Sequence, residues 1–219
     1  LGLVDPYYFG ILPAHLQGSD PPDPGAPCPF MELESDGVSL WNVHVDWTNP
    51  AASTIGVNGQ PDQFIPVSSF DYDMCGGARD CIPQAATSSR LDAISDRLMY
   101  RLHYRRFAGY DSIVVNHTVD VDGTNHGGVR WYEFRNSGGD WQLYQEGTYA
   151  PDADSRWMAS ANIDRKGDIA LGFSVSGRST YPSIRYAGHA ASDPLGEIGQ
   201  GETTLAAGGG SQLWSGSRW

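Results

Sequence analysis

The chain has 219 residues, a net charge of −12 and a sequence pI of about 4.7. Hydrophobic residues make up 40% and charged residues 18%, enough apolar surface for a core, which excludes a disordered chain. The negative charge repels phosphate backbones and argues against nucleic acid as a partner, and the lack of a long apolar run argues against membrane insertion.

The chain opens Leu1-Gly2-Leu3 without a methionine and reads as mature, trimmed or a fragment. Its first third looks irregular. The segment Gly18 to Pro27 holds four prolines, whose missing donors forbid helix and central strand. Val38 to Trp47 alternates apolar and polar residues and predicts a half-buried strand. Loop-like sequence returns over Asn49 to Cys81. Cys75 and Cys81 flank a short glycine-containing stretch whose spacing suits a disulfide loop and an oxidising, extracellular compartment. Cys28 is left over, either as a free buried thiol or with a partner outside the chain.

From Arg97 the pattern becomes regular. Strands are predicted over Arg97–Tyr104, Asp111–Val119, Gly128–Arg135 and Trp141–Glu146, joined by short turns. The pattern restarts with Arg156–Ile163, Asp168–Val175 and Tyr181–Gly188. The phrase Ser95-Asp96-Arg97-Leu98-Met99 returns as Asp154-Ser155-Arg156-Trp157-Met158 and begins again at Gly216-Ser217-Arg218-Trp219, a period of about sixty residues. Four antiparallel strands per repeat are the mark of a propeller blade. The expected fold is therefore all-β, a partial or few-bladed β-propeller, with a β-sandwich as the rival. Residues 1–90 form an irregular partial blade with long loops, 91–151 and 152–212 one blade each, and 213–219 the start of the next. A closed ring then needs either continuation in a larger chain or association of copies into a homo-oligomer.

The stretches Ser95 to Leu102, Val114-Val115-Asn116-His117, Gly147 to Asp152 and Tyr181 to Tyr186 resemble a β-propeller region of large secreted bacterial multi-domain proteins, distantly sialidase-like. The resemblance covers about Tyr8 to Trp219. It implies a secreted propeller and says little of activity, because the sialidase Asp-box is absent.

In a propeller the first strand of each blade lines the central channel, so Arg97, Arg156 and Arg218 would converge there. Their planar forks would clamp a carboxylate or sulfate. The architectural alternative is that each packs on a neighbouring aromatic residue and bonds loop carbonyls. Asp96 and Asp154 stand beside two of these arginines and Glu133 lies beside Trp131. These three acids are the candidates for the carboxylate pair that glycoside hydrolysis requires, solvated charge being the plainer role. Trp131, Trp157 and Tyr186 offer flat faces for sugars, and Arg185 completes the candidate binding set. The Asp120 to Asn125 turn resembles a calcium loop in composition but lacks a closing glutamate, so a plain Asp-Gly hairpin explains it better; no cofactor and no metal site are expected, with calcium at this turn as the weaker alternative. No Gly-x-Ser-x-Gly elbow and no phosphate-binding glycine loop occurs. The leading expectation is a secreted carbohydrate-active protein, a glycoside hydrolase. The alternative is a non-catalytic glycan-binding or adhesion module of a larger surface protein.

Overall fold

Aromatic and β-branched residues recur from Met99 to His189 with turn residues between them, and the backbone follows that pattern into long antiparallel strands. The computed structural model describes residues 4–213. It is all-β: β1 Leu12–Gln17, β2 Cys28–Leu33, β3 Gly37–His44, β4 Thr54–Ile55, β5 Gln63–Pro66, β6 Asp80–Ile82, β7 Leu91–Asp92, β8 Met99–Phe107, β9 Tyr110–Asp120, β10 Gly127–Asn136, β11 Gln142–Tyr149, β12 Ser155–Ile163, β13 Ile169–Ser176, β14 Ser183–His189 and β15 Glu202–Ala206. Two short 3-10 turns, Pro50–Ala52 and Cys75–Gly77, are the helical pieces among the described residues.

Strands β8 to β11 form an antiparallel meander, and β12 to β15 form a second one. Strands β1 and β2, missed in the irregular first third, extend the first meander. β1 runs parallel to β8, with Ala14 opposite Leu102 and Gln17 opposite Arg105. Beyond it, β2, β3 and the short β4 and β5 continue the same sheet, which therefore crosses the sequence boundary at residue 90 and curls into a half-barrel. Gln63 draws its two ends together. Its amide donates to the Trp141 carbonyl at 2.6 Å and accepts the Trp141 N–H at 3.0 Å.

Both faces of the central meander are buried, so β9 and β10 are enclosed along most of their length, with the polar Asn116, His117, Thr118 and Glu133 enclosed among their apolar residues. On one face Leu102, Ile113, Val115, Tyr132 and Phe134 pack against Met31, Val38, Leu40 and Ile65 inside the curl. On the other, Val114, Val129 and Trp131 pack against Ala161, Ile163, Leu171 and Phe173 of the second sheet. A third cluster, Met74, Ile82, Leu91, Ala93 and Trp157, sits under the loops between β5 and β8. Those loops border the cleft described next.

Candidate functional site

Strand β2 carries Glu32 between Met31 and Leu33, and only 4% of its surface is exposed. Glu32 Oε1 accepts the Phe9 N–H at 2.8 Å, while Oε2 is buried without a partner among the described residues. Removal from water, and to a lesser extent the charge of Glu34, raise its pKa to about 7 against the opposing pull of the Phe9 bond. A carboxyl group of this kind keeps a proton near neutrality.

Glu32 lines a chamber of about 210 Å³ with Tyr7, Phe9, Leu33, Glu34, Ser35, Tyr72 and Asp96. The aromatic wall is held from behind. Tyr8 packs edge-on against Tyr7 and against the core residue Trp41, at ring separations of 5.5 Å and 4.9 Å. Gly10 has φ +74°, and a β-carbon there would lie 3.3 Å from Arg97 Cβ, so glycine lets this segment lie against Arg97.

Asp96 and Tyr72 also line a larger chamber, of about 460 Å³, formed by the loops that precede β6 and β8. Its polar walls include Asp73, Arg79, Asp92 and Arg97. Asp96, 51% exposed, is held by Arg97 through two parallel contacts of 2.8 Å, and this pairing holds its carboxyl below the usual range. Buried Asp92 accepts the Ile94 N–H at 3.2 Å. Its other oxygen lies 2.6 Å from the exposed Arg79 guanidinium, an ion-pair contact outside hydrogen-bond geometry. The Cys75–Cys81 disulfide closes the loop that carries Arg79.

The sequence-predicted residues are divided between this cleft and the protein interior. Asp96 and Arg97 line it together, Cys75 contributes to its wall, and Trp157 packs beneath it, fully enclosed. Arg156 is fully buried. Its whole fork is engaged by Asp152, Glu202 and the Asp154 carbonyl. Arg185 shares Glu202 with it. Arg97 and Arg156 therefore bind different carboxylates and build no common clamp. Asp154 accepts the Thr180 hydroxyl at 2.6 Å and lines neither chamber. Glu133, buried between the sheets, accepts from Ser112, Arg135 and Gln145 at 2.6–3.0 Å. Trp131 is buried against His189, and Tyr186 lies exposed on β14. Arg218 lies outside the described residues. Cys28 is free and exposed, not buried.

Asp120 accepts the backbone N–H groups of Gly123, Asn125 and His126, and Asp122 accepts the N–H and the hydroxyl of Thr124. The turn is a hydrogen-bonded hairpin loop, and among the described residues no group of three or more His, Cys, Asp or Glu is placed to hold a metal ion. No helix among them is long and apolar enough to cross a membrane.

No family model, no curated protein and no solved structure matches this chain. The site therefore rests on its own chemistry. Sequence reasoning missed Glu32, Tyr7, Phe9, Tyr72 and Asp92. One signal was present: an acid inside the apolar run Phe30-Met31-Glu32-Leu33 is an expensive residue in a strand.

Proposed function

We propose that the chain is a glycoside hydrolase in which Glu32 is the general acid and Asp96 the base. One observation carries the reading: of the three acidic residues that line one chamber, Glu32, Glu34 and Asp96, two have carboxyl groups pushed in opposite directions, Glu32 up by burial and Asp96 down by Arg97. Such divergence assigns acid and base in glycosidases generally. Glu32 donates its proton to the glycosidic oxygen as the bond from that oxygen to the anomeric carbon breaks. Asp96 takes a proton from the water that adds to the anomeric carbon. Proton exchange with solvent restores both groups. Arg97 positions Asp96, and the carboxylate–guanidinium pairs of the larger chamber supply donors and acceptors for sugar hydroxyls.

The same reading takes β8–β11 and β12–β15 as two propeller blades of a secreted protein, completed by further chain or by a second copy. The face-to-face packing of the two meanders supports the blades, and the Cys75–Cys81 disulfide supports secretion.

The test is a panel of glycosides with purified wild type, E32Q and D96N. Each variant is expected to lower kcat/KM by about 100-fold or more. In E32Q the loss is smaller for leaving groups that need no protonation, such as nitrophenolate. Turnover that survives both substitutions unchanged removes this site. Saturable glycan binding without any product identifies the binding module instead.

A further inference from the structure

The cleft is asymmetric, and the asymmetry has a chemical direction. We infer that its substrate joins a sugar, held in the larger chamber, to an aromatic aglycone held in the smaller one; this rests on the Glu32–Asp96 reading above. A general acid must reach the oxygen that departs with the leaving group. Glu32 lines the smaller chamber and not the larger, so the leaving group lies on that side. Asp96 and Tyr72 border both chambers, which places the scissile bond between them.

The two compartments differ in what they can bind. The larger presents Asp73, Asp92, Arg79 and Arg97, a set of donors and acceptors that suits the hydroxyls of a sugar ring. The smaller sets Tyr7, Phe9, Leu33 and Tyr72 on one part of its wall and Glu32, Glu34, Ser35 and Asp96 on the rest, and its volume of about 210 Å³ accommodates one aromatic ring against the apolar part. Tyr7 is 74% exposed and Phe9 52% exposed, so both offer ring surface outside the core. The Arg97 guanidinium lies 5.4 Å from the Phe9 ring centroid, which ties this aromatic wall to the ion pair that holds Asp96.

The test compares benzyl and methyl glycosides of one sugar. Benzyl alcohol and methanol are leaving groups of closely similar acidity, so the ratio of their kcat/KM values reports contacts to the ring and not bond reactivity. Wild type is expected to favour the benzyl glycoside. In F9A and Y7A, each checked for wild-type circular dichroism, that preference falls about fivefold. Because both side chains are exposed, either variant suffices if the other folds poorly. A wild type without benzyl preference, or a benzyl-to-methyl ratio unchanged in every variant that folds, with glycosides still cleaved, overturns the aromatic-aglycone inference and leaves the hydrolase standing. Failure of the wild type to cleave any glycoside overturns both.

Discussion

Glu32 combines two properties that water would separate: an acidic side chain and a proton held near pH 7. Burial causes this, since its pKa is raised from 4.5 to about 7 chiefly by desolvation. The functional sign follows. A general acid acts in its protonated form, so Glu32 is competent below about pH 7 and loses its proton above it. Asp96 acts ionised, and the Arg97 pairing extends its ionised range downward. We expect kcat/KM to hold through the mildly acidic range and to fall tenfold per pH unit above about 7. Rate profiles of wild type and E32Q measure this. Persistence of the alkaline limb in E32Q would mean that another group titrates there.

At the scale of elements, the second sheet is fastened by an ion cluster and not by its arginine's reach toward a ligand. Arg156 on β12 is completely enclosed, and Glu202 at the start of β15 bonds both it and Arg185 of β14. Removing Glu202 leaves buried cationic surface short of a partner. E202A is expected to destabilise the protein by about 3–5 kcal/mol, read from urea unfolding. A loss under about 1 kcal/mol would show that Asp152 alone satisfies Arg156. These partners were hard to see in the sequence, because the arginine phrase is repeated while its acids come from different places. Arg97 takes its neighbour Asp96, whereas Arg156 takes Asp152 and the distant Glu202. The strands themselves were readable where alternation was strong: β12 begins within one residue of its expected start at Arg156. β1 and β2 were hidden by prolines at Pro13 and Pro29 and by the distance between β1 and its partner β8. β15 lies exposed along an edge and shows little apolar pattern. Glu32 could be found as an odd residue, but its proton affinity depends on Phe9 and on burial that only the folded chain provides.

For the whole molecule, one side chain bridges the open side of the curl. Gln63 and Trp141 lie 78 residues apart and exchange two hydrogen bonds, and the Ser68 N–H donates to Glu146 across the same gap. Q63A removes both Gln63 contacts and is expected to cost about 1–3 kcal/mol. It should also speed amide exchange in β5 and β11 before it affects β9 and β10; equal acceleration in all four strands would make the bridge incidental. The parallel pairing of β1 with β8 carries a different consequence, for the order of events in folding. During synthesis β1 leaves the ribosome long before β8 exists, and with it go the apolar faces that β8 to β11 later cover. The N-terminal third must wait, loosely structured, for strands made much later. Closing so large a loop is entropically costly and slow. During that interval, nascent chains would be most exposed to aggregation and to holding by chaperones.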